Sequence, residues 1–123
     1  MGRPPILSDK PQALDLKDWV SEKFLQNQII EFLNSSTEGT FWQNDSIPVP
    51  GRKRHNRYRP NGVPDILGLI DGHAIGIEVK SPNGKLLKSQ IEFSQRFMRA
   101  GGSYYVIRSM EDLSEVLKIN AWI

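Results

Sequence analysis

The sequence contains no cysteine, so neither a disulfide framework nor a thiolate metal site can form. No apolar run approaches the roughly 20 residues of a membrane-spanning helix, and the first 17 residues lack the apolar region of a signal peptide. Histidine is also scarce, and the two histidines do not stand at metal-ligand spacing. These absences predict an intracellular, cytoplasmic protein.

The length of 123 residues suits one compact domain and is too short for two ordinary ones. Pro4, Pro5 and Pro11 are interspersed with polar residues near the start of the chain. This composition predicts a flexible N-terminal arm over residues 1–17 and a single folded domain over residues 18–123.

Positive charge is concentrated in one segment of the chain. The formal net charge is only +2, yet five basic residues lie within eight positions, namely Arg52, Lys53, Arg54, Arg57 and Arg59. Their neighbours show no apolar periodicity, which predicts a loop over residues 51–62. The cluster indicates either a solvated loop or a surface that docks a polyanion.

Hydrophobic periodicity predicts an α/β chain. The predicted helices cover residues 18–34, 87–100 and 110–119, and the predicted strands cover residues 40–43, 65–70, 73–80 and 103–108. Asp71-Gly72 favours a two-residue type I′ turn between the second and third strands. Apolar runs on both of these strands, with helices on either side in sequence, predict a mixed central sheet flanked by helices.

Three residues on the predicted hairpin carry the chemistry. A two-residue turn sets Asp65 opposite Glu78, where two carboxylates repel unless a cation lies between them or one is protonated. Lys80 shares the face of Glu78. A lone Glu-x-Lys triplet is more often a polar stripe on a half-exposed strand. With Asp65, the set predicts a metal site that hydrolyses phosphodiesters, where Lys80 orients or deprotonates water.

Two further side chains are candidates for the same site. Glu22 precedes Ile29 by two helical turns and so projects near the apolar stripe, whereas Glu31 points away. A surface or capping role for Glu22 remains an alternative. Gln90 lies in the first turn of the second helix, where its amide could reach a water, a phosphate or Lys80.

These residues resemble a known pattern. Val63-Pro64-Asp65, followed after twelve residues by Glu78-Val79-Lys80, is similar to the signature of PD-(D/E)XK nucleases. Residues 20–113 resemble the VRR-NUC family more closely, through Glu22, Trp42-Gln43-Asn44, Gly62, the two motif segments and Gln90. Single-domain members of that family are often encoded by phages, which would place the protein in the host cytoplasm.

The resemblance implies a fold and a metal site. It implies a restriction-endonuclease-like αβββαβ core that binds Mg²⁺ or Mn²⁺ through Asp65, Glu78 and the main-chain carbonyl of Val79. Glu22 would help through water, and Lys80 and Gln90 would complete the site.

The resemblance also implies DNA as the substrate. Stand-alone members are dimeric nucleases that resolve branched DNA such as Holliday junctions, so a homodimer with this activity is expected. The DNA-binding candidates are Arg52, Lys53, Arg54, Arg57, Tyr58 and Arg59. Either 121–123 or the arm could form the dimer surface. The alternatives are a flap, duplex or single-strand nuclease of restriction or phage type, and a DNA-binding module that does not cleave.

Two positions depart from the family pattern. Gln43 stands where an arginine often follows the aromatic residue, and Leu87 stands where a serine or threonine often caps the second helix. The second departure leaves the helix amides to find another acceptor.

Overall fold

The computed structural model describes residues 16–44 and 60–122. The predicted arm up to residue 15, the basic cluster and Ile123 therefore lie outside the described residues. The described part contains α1 (Leu16–Ser36), β1 (Thr40–Gln43), β2 (Ile66–Ile70), β3 (His73–Val79), α2 (Lys88–Arg99), β4 (Ser103–Ile107) and α3 (Met110–Asn120). The predicted element order is confirmed, and every boundary agrees within two residues. Within the described residues, none of the helices combines the length and apolar character needed to cross a bilayer.

The four described strands form one mixed sheet in the order β1-β2-β3-β4. β1, β2 and β3 are antiparallel neighbours, and β4 runs parallel to β3. Ile66 pairs with Ile77 and Ile70 with His73, which is the predicted register. Asp71 has φ 51° and Gly72 has φ 77°, so both central turn residues are left-handed, as a type I′ turn requires. The local turn thus fixes which β3 residue faces each residue of β2.

One face of the sheet forms the hydrophobic core beneath α1 and α3. Its fully buried side chains include Ile29 and Leu33 from α1, Leu113 from α3, and Ile66, Ile75, Ile77, Val79 and Ile107 from the sheet. The alternation on β3 explains this arrangement, because residues 75, 77 and 79 project to one side and residues 76 and 78 to the other. α2 lies on this second side, where the Phe97 ring approaches Gly76 and Gly102.

The C-terminal tryptophan belongs to the core. α3 ends at Ala121, whose left-handed backbone, with φ 53°, turns the chain back over the sheet. The Trp122 ring then lies 6.4 Å from that of Phe41 and 6.1 Å from that of Tyr105, centroid to centroid. Trp122 is partly buried against this core, and residues 121–123 as the dimer surface stay a prediction.

The segment before Asp65 is pressed against α2. Gly62 has φ 80°, and a Cβ at this position would collide with the main-chain carbonyl of Ser89 in the first turn of α2. Pro64 is fully buried. A glycine here lets the approaching chain lie beneath the start of α2, which brings Asp65 and Gln90 to the same end of the sheet.

Candidate active site

Asp65 and Glu78 meet at the end of the β2–β3 hairpin. Asp65 directly precedes β2, and the hairpin register continued by one pair sets it opposite Glu78. The Asp65 Oδ2 atom accepts a hydrogen bond of 3.0 Å from the main-chain N–H of Val79. We call Asp65, Glu78 and Lys80 the carboxylate corner.

Glu78 is a buried acid, with 3% of its surface exposed. Its Oε1 accepts a hydrogen bond of 2.9 Å from Gln90 Nε2 and lies 3.8 Å from Lys80 Nζ. Its Oε2 is buried and has no hydrogen-bond partner within the described part of the chain. Lys80 is also largely covered, with 14% of its side chain exposed. The pair is therefore not the half-exposed polar stripe that an isolated Glu-x-Lys triplet usually forms.

The surroundings of Glu78 disfavour its charge. Burial is the largest cause that raises the pKa of Glu78 well above its ordinary value of 4.5, and the negative charge of Asp65 is the second. The positive charge of Lys80 opposes this shift, whereas the hydrogen bond that a protonated Glu78 can make with Asp65 and the charge of Glu22 add to it. The carboxylate corner thus disfavours the ionised form of Glu78 relative to water.

Gln90 joins α2 to the carboxylate corner. Its Oε1 accepts a hydrogen bond of 2.8 Å from the main-chain N–H of Leu87, while its Nε2 donates to Glu78. Because the Leu87 amide can only donate, the carbonyl end of Gln90 must face it and the amino end must face Glu78. Gln90 supplies the returning half of a capping box, which satisfies the Leu87 amide although Leu87 itself has no capping side chain.

Glu22 reaches the sheet from α1, as its spacing predicts. Its Oε1 accepts a hydrogen bond of 2.8 Å from the main-chain N–H of Ser81, immediately after Lys80. Glu31 is exposed. Glu22 therefore stands beside the carboxylate corner and fixes the chain that leaves β3.

The oxygen atoms at the carboxylate corner suit a divalent ion. Within residues 16–44 and 60–122, no three His, Asp or Glu side chains converge to enclose an ion by themselves. The predicted set needs only Asp65 and Glu78 as carboxylates, with the Val79 carbonyl as a third oxygen. No group in the described part of the chain donates to the buried Glu78 Oε2, and all three groups are the hard oxygen ligands that Mg²⁺ prefers. The residues fit Mg²⁺ or Mn²⁺.

Two further residues support the carboxylate corner: Asn44, which belongs to the segment that resembles the family pattern, and Arg108, which no sequence pattern singled out. The Asn44 main-chain N–H donates to the Asp65 carbonyl at 2.7 Å, and its side chain donates to the Pro64 carbonyl at 3.2 Å. Arg108 Nη1 donates to the carbonyls of Ser81 and Gly84 at 2.7 and 2.6 Å. These contacts hold the segments that carry Asp65 and follow Lys80.

Gln43, the residue that departs from the family pattern, faces α1. Its Nε2 donates to Oε1 of the buried Gln26, which also accepts from Lys23 at 3.4 Å. The substitution therefore concerns the packing of β1 on α1. The six DNA-binding candidates, residues 52–54 and 57–59, lie outside the described residues.

A family model described as the VRR-NUC domain matches residues 9–111. The chain belongs to the VRR-NUC family. This is a family of PD-(D/E)XK nucleases, so the resemblance seen in the motifs is confirmed at the level of the family. A search of curated proteins gives no significant match.

A solved structure titled "VRR_NUC domain" shares the fold. It is 22% identical, and the similarity covers 79% of this chain and 94% of that one, with a TM-score of 0.58. The predicted α/β, restriction-endonuclease-like architecture is confirmed by this match and by the mixed sheet.

The raised pKa of Glu78 should make the stability of the metal-free VRR-NUC domain depend on pH. Because the folded-state pKa lies above 4.5, stability is fully present below that pH and falls as Glu78 ionises at higher pH. Urea unfolding in a chelator, over a pH series, should show this loss for the wild type and not for Glu78→Gln. Parallel stability curves for the two proteins would show that the ionisation of Glu78 is not linked to folding.

Proposed function

We propose that this VRR-NUC domain is a metal-dependent DNA endonuclease whose active site is the carboxylate corner. The proposal rests on one observation: Glu78 is buried opposite Asp65 and beside Lys80, with one oxygen that has no hydrogen-bond partner among residues 16–44 and 60–122. An acid in such a place costs stability unless a cation or a proton compensates for it. A divalent ion bound by Glu78 would supply this compensation and would account for the burial of the acid.

Each residue has a distinct role in the proposed reaction. Asp65, Glu78 and the Val79 carbonyl would hold Mg²⁺ or Mn²⁺, which polarises the phosphodiester and lowers the pKa of bound water. Lys80 orients or deprotonates the attacking water and offsets charge that develops on the phosphate. Gln90 fixes the rotamer of Glu78, and Glu22 holds the chain after Lys80 and acts through water.

Substitution of the motif residues tests the activity. Asp65→Asn, Glu78→Gln and Lys80→Ala should each lower cleavage by at least about 100-fold, because each removes a charge that acts on the reacting groups, while DNA binding persists. Glu22→Gln should cost about 10- to 100-fold, and Glu31→Gln is its matched control on the exposed side of α1. Cleavage is measured on labelled junction, flap, duplex and single-stranded DNA with Mg²⁺.

Metal exchange provides the corresponding control. Ca²⁺ in place of Mg²⁺ should permit binding but suppress cleavage, since the larger ion tolerates looser coordination and activates water less well. Robust cutting in excess EDTA, or by the Asp65 variant, contradicts the proposed site. Binding without cleavage on every substrate favours the non-cleaving DNA-binding module, and preference for another substrate favours the flap, duplex or single-strand nuclease.

We also propose that the basic cluster contacts DNA phosphates. It ends at Arg59, six residues before Asp65, so the chain runs from the cluster into the carboxylate corner. Lysine and arginine that neutralise phosphates release counterions from DNA. Tyr58 would contribute to the same contact.

Neutralising the cluster should weaken DNA binding and flatten its dependence on salt. Each lost phosphate contact removes about 0.9 from the slope of log affinity against log salt concentration. The measurement is a salt titration of DNA affinity for a variant with glutamine at the five basic positions. Lys118→Gln, which removes an exposed positive charge from the last turn of α3, is the control. Unchanged affinity and slope would show that the cluster is a solvated loop.

We propose further that two copies act together on branched DNA. Resolving a junction needs two nicks related by symmetry, which a two-fold homodimer can supply. The N-terminal half of α1 carries an exposed apolar stripe of Leu16, Trp19, Val20 and Phe24, in which Trp19 and Val20 follow Leu16 by three and four residues and Phe24 follows Val20 by four. Exposed apolar side chains that lie together often mark a protein contact, so the stripe supports α1 as the pairing surface. The intracellular location, which extends to the host cytoplasm for a phage protein, stays a prediction.

Charged substitutions in the apolar stripe of α1 should prevent the formation of the dimer. Val20→Lys with Phe24→Lys should give a folded monomer that has lost junction resolution, because charge would face charge at the pairing surface. Leu69→Lys, an equally apolar and half-exposed position on β2, should leave the dimer intact. Light scattering at micromolar concentration, with and without junction DNA, measures the assembly. A wild-type monomer in both conditions would contradict the dimer.

A further inference from the structure

Two buried side-chain polar atoms lack a hydrogen-bond partner within residues 16–44 and 60–122. One is Oε2 of Glu78 and the other is the hydroxyl oxygen of Tyr104. Buried polar atoms without partners are rare in folded proteins, and each calls for a physical reason. The proposed nuclease site gives a reason for Glu78, but it assigns no part to Tyr104.

Tyr104 lies on the same face of the sheet as the carboxylate corner. Gly76 pairs with Tyr104 in the parallel β3–β4 ladder, and Glu78 pairs with Val106. Residues two apart on a strand share a face, so Tyr104 lies on the face of Glu78, two ladder pairs away. Gly76 leaves space here, since a Cβ at that position would lie 3.4 Å from the Tyr104 ring.

The hydroxyl of Tyr104 remains a hydrogen-bond donor in this place. Burial is the main cause that raises its pKa, and the negative charges of Glu78 and then Asp65 raise it further. Because its pKa is raised, the hydroxyl of Tyr104 keeps its proton at neutral pH.

The two unpartnered atoms are complementary to each other. Glu78 Oε2 can only accept a hydrogen bond when ionised, and the Tyr104 hydroxyl has a proton to donate. They do not bond directly to each other. A water molecule can accept from the hydroxyl and donate to the carboxylate, and buried waters usually satisfy such groups with about three hydrogen bonds.

We infer that Tyr104 is a positioning residue, whose hydroxyl donates to a water molecule at the carboxylate corner and fixes that water relative to Glu78. The inference rests on the proposed function only in assigning the water to hydrolysis. Holding a water in one orientation lowers the entropic cost of a step that uses it. Tyr104 should therefore affect kcat and leave KM for DNA unchanged.

The test compares two tyrosines that are adjacent in sequence and lie on opposite faces of β4. Tyr104→Phe removes a hydroxyl that has no hydrogen-bond partner among the described residues, so the free energy of unfolding without metal should stay the same or rise, while kcat falls about 10- to 100-fold. The Tyr105 hydroxyl is hydrogen-bonded to Asn120. Tyr105→Phe should therefore lower the free energy of unfolding and leave kcat unchanged. If Tyr104→Phe destabilises the fold as Tyr105→Phe does, or retains wild-type kcat, the inference is overturned.

Crystal structures provide a readout that does not depend on cleavage. The wild type should show an ordered water about 2.7–2.8 Å from the Tyr104 hydroxyl and in contact with Glu78, and this water should be missing or displaced in Tyr104→Phe. No such water in the wild type overturns the inference even if the enzyme cuts DNA. If the wild type cuts no DNA, the proposed function fails, and the water still decides whether Tyr104 holds it.

Discussion

The structure depends on the burial of one acid, Glu78, at the end of a strand. An ionised carboxylate removed from water needs charge or hydrogen-bond partners. α2 brings the amide of Gln90, and Lys80 follows β3 directly. These partners are incomplete, since one oxygen has no donor among the described residues and the hairpin sets a second acid, Asp65, opposite Glu78. The excess of negative charge would allow this site to bind a cation, which an ordinary buried ion pair does not need.

Hydrogen bonds between side chains and main-chain groups hold the segments around the carboxylate corner in place. Gln90 ties Glu78 to the first turn of α2, and Gly62 lets the segment before Asp65 lie against the same turn. Glu22 from α1 and Arg108, directly after β4, hold the chain after Lys80. These contacts limit the movement of the segments next to the reactive side chains.

The parts of the site that the sequence predicts are those governed by local geometry. Asp71-Gly72 fixes the hairpin register and so the pairing of Asp65 with Glu78, and helical spacing directs Glu22 to the sheet and Glu31 away. Tyr104 and Arg108 could not be found in this way. β4 joins β3 through a helical crossover, and no short turn sets the register of a parallel pair. Likewise, the periodicity of α3 ends before Trp122, so the reversal at Ala121 that returns this ring to the core has no helical signal.

The side chain of Asn34 covers part of the edge that β1 forms in the described sheet. It donates to the carbonyl of Phe41 at 2.9 Å and accepts from the amide of the same residue at 2.8 Å. These two bonds resemble those that a neighbouring strand would make, and they occupy the main-chain groups of Phe41. Exposed strand edges are templates for strand addition and aggregation. The contact therefore disfavours the addition of another strand along β1, whether from a second copy of the chain or in a growing fibril.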